Sequence, residues 1–223
     1  MITFNNTKVY NFMGSIRNMR NSWQSWGKMD SYEGILYGLE AVTPEQVHPA
    51  NIEQFYLGPE DKKLATKLLK AGPDHAKYVR QIFISTDITA PLYFFKQFDQ
   101  YKISVCTNST STMHTITKQP FSIDMFSVED LNEMGHEMFL NYLNDLETIR
   151  NLFLETKDKR YWRMLIQMLP DSINQIRGTT MNYQVLQNIY HSRKHHRLSE
   201  WHDFCTWIES LPYSFLITKE IEK

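Results

Sequence analysis

Apolar residues recur at helical spacing along much of the chain. Three- and four-residue steps between Ile16, Met19 and Trp23 predict a helix over residues 15–26. Pro59, followed by two acidic residues, predicts the start of another helix, which Gly72-Pro73 ends. The same spacing marks further helices at residues 92–100, 127–155, 160–169, 182–193 and 198–210. The longest of these begins at Ser127-Val128-Glu129-Asp130, which has the form of a capping box.

Short runs of β-branched and aromatic residues predict strands at residues 8–12 and 79–89, and Ala90-Pro91 ends the second run. Six consecutive small polar residues at 107–112 cannot pack in a core and predict a loop. Residues 27–58 show no sustained period and predict a long connection. The pattern therefore predicts an α+β fold with long helices and a small antiparallel or mixed sheet.

Composition narrows the class of protein. A chain of 223 residues that is 42% hydrophobic can build a core, and its length predicts one domain over residues 1–223. A net charge of −1 argues against a non-specific nucleic-acid binder. The start of the chain lacks a basic segment followed by an apolar one, and no apolar run approaches the roughly 20 residues of a membrane helix. We expect a soluble, cytoplasmic protein that associates with neither membranes nor nucleic acid.

The two cysteines, Cys106 and Cys205, are too few and too far apart for a disulfide framework or a zinc set. Reduced thiols are expected, although one long-range disulfide stays open at this point.

Histidines give a first candidate for chemistry. His191 and His195 are four residues apart, a spacing compatible with zinc on one helix face. The nearest further ligands, Glu200, His202 and Asp203, match no HExxH-type pattern, so we predict no metal site. The basic residues at 193–197 either interact favourably with the negative end of a helix dipole or bind an anion such as a phosphate.

A second candidate is Ser111, which precedes His114 by three residues in the polar run. A hydroxyl close to a base is the start of a hydrolase site, but no partner carboxylate is identifiable.

Three segments, in this order along the chain, carry the motifs of one known family. The first is Met13-Gly14 followed by residues 16–23, a helix after a strand. The second covers residues 59–114, where a helix carries Gln97 into the polar loop. The third begins at Leu169-Pro170 and continues with Thr180, Asn182, Leu186, Asn188 and Arg193. Together they resemble the flavin-dependent thymidylate synthase family.

The motifs match that family unevenly. Its signature R-H-R-x-x-S-x-N-x-x-S-x-R falls, with one extra residue allowed, on Gln100, Tyr101, Lys102, Asn108, Ser111 and, for the final Arg, Met113. Its LP…T-x-N-A-R-x-L…N-F-L-x-L-R stretch matches the third segment without a gap. Two arginines of the family near that stretch are replaced here by Ile166 and Gln184.

The resemblance implies a transferase of nucleotide biosynthesis that binds FAD between the subunits of a homotetramer. Such enzymes methylate C5 of dUMP with methylenetetrahydrofolate and use NADPH to reduce the flavin; they need no Cys nucleophile. Carried over residue by residue, the flavin contacts would be Tyr101, Lys102, Asn108, Asn182 and Asn188. The nucleotide contacts would be Gln97, Ser111 and Arg193. The resemblance assigns no catalytic residue.

The departures from the family carry a physical consequence. The arginines missing at Gln100, Met113 and Ile166 would have met a dianionic phosphate, and a hydrogen bond to a charged group contributes about 1.5–3 kcal/mol. Cations that could replace them are Arg80, Arg163, Arg177 and Arg197. Alternatively, the substrate is another pyrimidine nucleotide, or the group transferred is hydroxymethyl. A further alternative is a non-catalytic descendant that binds a nucleotide or a protein partner.

Overall fold

A computed structural model describes residues 2–33 and 55–219 of the chain, and much of the connection expected at residues 27–58 lies outside them. Within these residues the strands are β1 (Thr3–Tyr10), β2 (Tyr32–Glu33), β3 (Phe55–Tyr56), β4 (Phe83–Pro91), β5 (Cys106–Ser109) and β6 (Asn174–Asn182). The helices are α1 (Phe12–Asn18), α2 (Pro59–Lys70), α3 (Leu92–Phe98), α4 (Thr112–Thr115), α5 (Glu133–Thr156), α6 (Lys159–Met168), α7 (Tyr183–Arg193), α8 (Ser199–Glu209) and α9 (Phe215–Thr218).

The strands form a small antiparallel sheet with the order β1-β4-β6-β5, and β2 pairs with β3 in a separate antiparallel ribbon. Long helices accompany this sheet, so the predicted α+β class is confirmed.

The chain divides into two compact units. Among the described residues, those within 1–3, 88–100 and 108–177 form the first unit, and those within 4–87, 101–107 and 178–223 form the second. Strands β4 and β6 each run from one unit into the other. The expectation of one domain over residues 1–223 stays a prediction.

The core of the first unit lies between α5 and α6. Leu143, Leu146 and Ile149 project from α5 at three-residue steps, and they join Leu165 of α6 in one buried cluster. Asn132 begins α5, because its side-chain oxygen accepts a hydrogen bond from the Gly135 amide at 2.9 Å.

Helix α3, which carries Gln97, is held firmly in the first unit. Phe94, Phe95 and Phe98 are buried. The guanidinium of Arg177 lies 4.0 Å from the Phe95 ring centroid, and its Nη1 atom is 2.6 Å from Oδ1 of Asp99. This combination of stacking and ion pairing ties the end of α3 to strand β6.

The core of the second unit is aromatic. Tyr183, Trp201 and Phe204 are fully buried on α7 and α8, and the hydroxyl of Tyr183 donates to the Pro212 carbonyl oxygen at 2.6 Å. Phe4 of β1 stacks on Trp207 of α8 with ring centroids 4.4 Å apart. Large apolar rings with their polar atoms satisfied give this unit a rigid base for α7.

Two carboxylates, those of Asp61 and Asp30, bind helix α2 to the N-terminal part of the chain. Asp61 forms a buried ion pair with Arg20, with Nη2 and Oδ1 2.6 Å apart. Asp30 accepts hydrogen bonds from the backbone amides of Glu60 and Asp61 at 2.8 and 2.9 Å, so it caps the helix from a distance in sequence. Gly58 is required at this point, because a Cβ atom there would lie 2.5 Å from the Asp30 carbonyl oxygen.

Several predicted elements are wrong in detail. The helix expected over residues 15–26 is α1, which ends at Asn18, followed by short 3₁₀ turns at Asn21–Trp23 and Trp26–Lys28. The loop expected at residues 107–112 is partly strand β5. The capping box at Ser127 does not begin a helix, because the Ser127 hydroxyl donates to the side chain of Asn174. Strand β6 is absent from the prediction.

Candidate functional site

The first part of the candidate site is the start of α7. The Oδ1 atom of Asn182 accepts a hydrogen bond from the Val185 amide at 2.9 Å, and its Nδ2 donates to the Arg80 carbonyl oxygen at 3.2 Å. Asn182 is therefore a buried cap that joins α7 to the 3₁₀ turn at Lys77–Gln81. Asn188 lies further along α7 and is exposed.

The end of α7 carries Arg193, whose guanidinium lies between two aromatic rings. Its Nε donates to the hydroxyl of Tyr101 at 2.8 Å. Its central carbon is 5.7 Å from the centroid of that ring and 4.8 Å from the centroid of Trp201. Two residues from separate motifs of the sequence are thus in direct contact. We call this set, Tyr101, Arg193 and Trp201, the arginine clamp.

The remaining residues named from the sequence are spread over both units. Gln97 is half-buried on α3, and Asn108 is exposed on β5, both in the first unit. Ser111 lies just before α4, and its carbonyl oxygen accepts a hydrogen bond from Oγ1 of Thr115 at 2.9 Å. Lys102 is exposed in the second unit, directly after Tyr101.

The suggested replacement cations differ in their surroundings. Arg177 is paired with Asp99, and the Nε of Arg80 lies 3.5 Å from Oε1 of Gln184. Arg163 and Arg197 are exposed. Arg80 contacts α7 at Gln184, the position where the family resemblance expected an arginine.

The zinc site considered for His191 and His195 has no complete set of ligands in the part of the chain that the structure describes. No group of three or more His, Cys, Asp and Glu side chains there could hold an ion. Instead, Nε2 of His191 and Nε2 of Gln187 are buried without a hydrogen-bond partner among the described residues. These two atoms lie four residues apart on α7, and each could still bond to a ligand.

His196 lies within the basic stretch at residues 193–197. Its Nδ1 accepts a hydrogen bond from the Leu198 amide at 3.1 Å. Burial lowers the pKa of its imidazole, and the nearby charges of Arg193 and His202 lower it further. At this end of α7, Arg193, Lys194 and Arg197 carry positive charges that do not depend on the protonation of His196.

The cysteines are free thiols. The disulfide left open by the sequence is therefore excluded. Burial, aided by Glu209, raises the pKa of the Cys205 thiol to about 11, which keeps it protonated at neutral pH. Because the thiolate is the reactive form of cysteine, Cys205 is a poor nucleophile.

The second unit also contains a groove of about 1550 Å³ that the sequence did not predict. It lies between α2 and residues 18–25, with the 3₁₀ turn at Lys77–Gln81 along one side. Its lining includes four lysines, Lys28, Lys63, Lys67 and Lys77, against two acids, Glu60 and Asp74. We call it the lysine groove. The sequence indicates this groove only through Lys63 and Lys67, which are four residues apart on a helix and therefore share one face.

The rim of the lysine groove is shaped by polar contacts. Nδ2 of Asn18 donates to Oε1 of Gln81 at 2.7 Å, and the indole N–H of Trp26 donates to Oδ1 of Asn21 at 2.8 Å. Trp23 also lines the groove and is 88% exposed. Excess positive charge beside an exposed aromatic ring suits an anionic ligand that also carries a flat ring.

Comparison with solved structures identifies the fold. Thymidylate synthase X from Helicobacter pylori, solved with FAD and dUMP, matches with a TM-score of 0.65 and 16% identity over 98% of this chain and 96% of that chain. A second structure of this flavin-dependent enzyme, also with FAD and dUMP, matches with a TM-score of 0.65 and 15% identity over 100% of this chain and 99% of that one. The fold is that of the flavin-dependent thymidylate synthases.

A weaker structural match is also a protein solved with a pyrimidine nucleotide. A UMP/dUMP methylase from Streptomyces cacaoi, bound with 5-Br UMP, has a TM-score of 0.50 and 12% identity over 70% of this chain and 83% of that chain. No family model matches the sequence, and no curated protein matches it at a significant level. Among the described helices, none has the length and apolar character needed to cross a membrane.

Proposed function

We propose that this protein binds FAD and a pyrimidine nucleoside monophosphate and transfers a one-carbon unit to C5 of the pyrimidine. The observation that carries the proposal is the arginine clamp, which presents a fixed cation at the position where the family resemblance places a nucleotide contact. The shared fold supports it, because proteins of that fold have been solved with FAD, dUMP and 5-Br UMP.

The residues around Arg193 suit a phosphate. The guanidinium is planar, and the hydrogen bond at its Nε restrains its orientation. Two parallel N–H groups of such a group match two phosphate oxygens. Lys194, which follows α7 directly, and Arg197, three residues further on, add positive charge to this stretch of the chain. The family resemblance assigns Gln97 and Ser111 to the nucleotide as well.

The residues of the second unit also suit FAD. The lysine groove offers cations for a pyrophosphate and the exposed Trp23 ring for a base. Two hydrogen bonds connect this groove with the start of α7. Asn18 at the groove bonds to Gln81, and Arg80, the residue before Gln81, bonds through its carbonyl oxygen to Asn182. The family resemblance assigns Asn182, Asn188, Tyr101, Lys102 and Asn108 to the flavin. Bound FAD would supply the redox chemistry, and the protein would supply binding and orientation.

The remaining features of the proposal follow from the resemblance. They are methylenetetrahydrofolate as the carbon donor, NADPH as the reductant and a homotetramer as the assembly. Hydroxymethyl transfer is the alternative reaction, and dUMP or a related nucleotide is the substrate.

Binding experiments test the proposal directly. The purified protein is expected to retain flavin absorbance after incubation with FAD and desalting, and to bind dUMP in titration calorimetry. Arg193→Ala should weaken dUMP binding tenfold or more, because a hydrogen-bonded charge is lost, while the melting temperature stays close to that of the wild type. Arg160→Ala removes an exposed arginine of the first unit, one that pairs with Asp158 on the surface, and serves as the control. A protein that takes up neither FAD nor dUMP contradicts the proposal.

A second candidate is a non-catalytic descendant of this fold. It is favoured by Gln100, Met113 and Ile166, the three positions where the family's arginines are missing. The two candidates differ in turnover. An enzyme converts dUMP to a C5-substituted product when FAD, NADPH and methylenetetrahydrofolate are all present, whereas the descendant binds the nucleotide and leaves it unchanged.

A further inference from the structure

The lysine groove brings a row of cations and one exposed aromatic ring together within the second unit. Lys63 and Lys67 share one face of α2, and Lys77 begins the 3₁₀ turn along one side of the groove. Within the described part of the chain, none of these three lysines forms an ion pair. Arg20 also lines the groove, but its charge is balanced by the Asp61 carboxylate. The lysines therefore offer positive charge to a ligand.

The turn that carries Trp23 is fixed by contacts of its neighbours. The indole N–H of Trp26 donates to Oδ1 of Asn21 at 2.8 Å, and Nδ2 of Asn21 donates to Oδ1 of Asn18 at 3.3 Å. Directly after Trp23, Gln24 has a φ of 46°, in the left-handed region that residues with a Cβ atom disfavour. The Trp23 ring itself is 88% exposed and gains little from the fold. A flat ring presented in this way at a groove is suited to stacking on a flat group of a ligand.

The two walls of the groove together define a class of ligand. A base stacks on an indole through its π face, and lysines attract phosphate groups as point charges. An inorganic anion would use the lysines alone, and an uncharged aromatic compound would use Trp23 alone. A nucleoside diphosphate uses both, since it carries a base and two phosphates on one ribose. In the proposed function, FAD is the ligand that contains such a group.

The family resemblance indicates a separate place for the other half of FAD. It assigns the flavin to residues that include Asn182, which does not line the groove. Asn182 donates to the Arg80 carbonyl oxygen, and the next residue, Gln81, accepts a hydrogen bond from Asn18 in the groove lining. The groove and the start of α7 are thus joined through one short segment of the second unit. A dinucleotide has one half for each.

We propose that the lysine groove binds the adenosine diphosphate half of FAD, with the adenine stacked on Trp23 and the pyrophosphate against Lys63 and Lys67. The inference rests on the proposed function and deepens it, since it states which half of the cofactor the groove holds. It makes the protein selective for FAD over FMN, which lacks the adenine. It also means that ADP, which has no flavin ring, binds to the groove by itself.

Trp23→Leu tests the stacking, because it keeps an apolar side chain and removes the flat ring. The control is Tyr10→Leu, which removes a 48% exposed ring of the second unit that does not line the groove. Affinities for FAD, FMN and ADP are measured by titration calorimetry. We expect Trp23→Leu to weaken FAD and ADP binding by the same factor, about fivefold or more, the effect of one lost stacked base. FMN binding should stay unchanged, and Tyr10→Leu should bind all three ligands as the wild type does.

Trp23→Phe separates stacking from simple apolar contact. Phenylalanine keeps a flat π face, so this variant should bind ADP more tightly than Trp23→Leu does. Equal ADP affinities in the two variants would show that the base does not stack on this ring, and the inference would be wrong. Size-exclusion chromatography of Trp23→Leu gives a further check. A change in its oligomeric state would assign the ring to an interface between subunits and would also overturn the inference.

The outcomes distinguish the inference from the function on which it rests. Wild-type protein that binds ADP but neither FAD nor dUMP contradicts the proposed function, while recognition of a nucleoside diphosphate by the groove stands. Wild-type protein that binds FAD but not ADP overturns the inference alone. The same holds if Trp23→Leu weakens FMN binding as much as FAD binding, because the ring would then contact the flavin and not the adenine.

Discussion

The Asp61 carboxylate, which is buried in the second unit, receives hydrogen bonds on both oxygens. Nε and Nη2 of Arg20 meet Oδ1 at 2.6 Å, and the amides of Asp30 and Ser31 meet Oδ2 at 3.1 and 2.9 Å. A buried charge in such surroundings is tolerated only while its partner remains, because an isolated buried ion is costly.

Arg20→Met is therefore expected to lower the free energy of unfolding by about 3–5 kcal/mol, since it leaves Asp61 buried without a counter-charge. Urea denaturation measures the change. Arg160→Met is the matched control, because Arg160 pairs with Asp158 on the surface and its loss should leave stability unchanged within error. Equal effects in the two variants would contradict the assignment.

The sequence indicated some single residues and could not indicate their partners. The helix pattern placed Asp61 in the first turn of α2, but Arg20 is 41 residues away and no period connects them. In the same way, motif matching singled out both Tyr101 and Arg193, although their contact spans 92 residues. Pairings of this kind are set by how the elements pack, which local patterns do not encode.

Among the elements, α2 shows how a helix can be capped by a residue far from it in sequence. Asp30 supplies the cap, and Gly58 leaves room for it. Although burial pushes the pKa of the Asp30 carboxyl upward, hydrogen bonds from the Glu60 and Asp61 amides bring it below its ordinary value of 3.8. A carboxyl with a lowered pKa stabilises the fold above that ordinary value and loses this contribution as pH falls through the folded pKa.

Asp30→Ala is expected to lower the free energy of unfolding by about 1 kcal/mol at pH 7, the usual cost of a lost cap. The difference from the wild type should shrink as the pH falls below 3.8. Asn132→Ala removes the cap of α5, which does not titrate, so its cost should be the same at both pH values. Urea denaturation at pH 7 and pH 3 measures the free energy of unfolding of both variants and of the wild type. If Asp30→Ala lowers this free energy by the same amount at both pH values, Asp30 does not act as a charged cap.

Helices were more predictable than strands in this chain. The bounds expected for α2, α6, α7 and α8 agree with the structure to within about two residues, because apolar residues recur at helical spacing in each. Strands β5 and β6 carry mostly polar residues, so their sequences lack a strand pattern. Backbone pairing decides their conformation, and it continues beyond β5, where the Thr110 amide donates to the Ile176 carbonyl oxygen at 2.9 Å.

Over the whole molecule, the near-zero net charge conceals an uneven distribution. Its 24 basic and 25 acidic residues almost cancel, yet the lysine groove and the end of α7 are both basic. The family resemblance predicted the fold, which is confirmed, and it placed the nucleotide at Arg193, which stays a proposal. It gave no indication of the groove, because the groove's lysines match no motif of the family.

A double charge reversal tests the groove as the site for the anionic part of FAD. Lys63→Glu with Lys67→Glu should weaken FAD binding about tenfold or more, because attraction becomes repulsion at two positions. Riboflavin has no phosphate, so its affinity should stay the same. Lys118→Glu with Lys159→Glu changes the net charge equally on exposed positions of the first unit and provides the control.

Flavin fluorescence titrations at low and at moderate salt measure these affinities. The wild-type affinity for FAD should fall as salt rises, since exposed charges are screened over about 10 Å at 0.1 M. FAD binding that is unchanged in the groove variant would place the anionic part of the cofactor elsewhere.

The exposed indole at the groove rim also provides an optical reporter. Of the five tryptophans, Trp23 is 88% exposed, whereas Trp201 and Trp207 are at most 9% exposed. Collisional quenching by acrylamide should therefore act first on Trp23, and a ligand seated in the lysine groove should shield that ring. Occupancy of the groove can thus be followed by intrinsic emission, with Trp23→Phe as the variant in which the protected signal disappears.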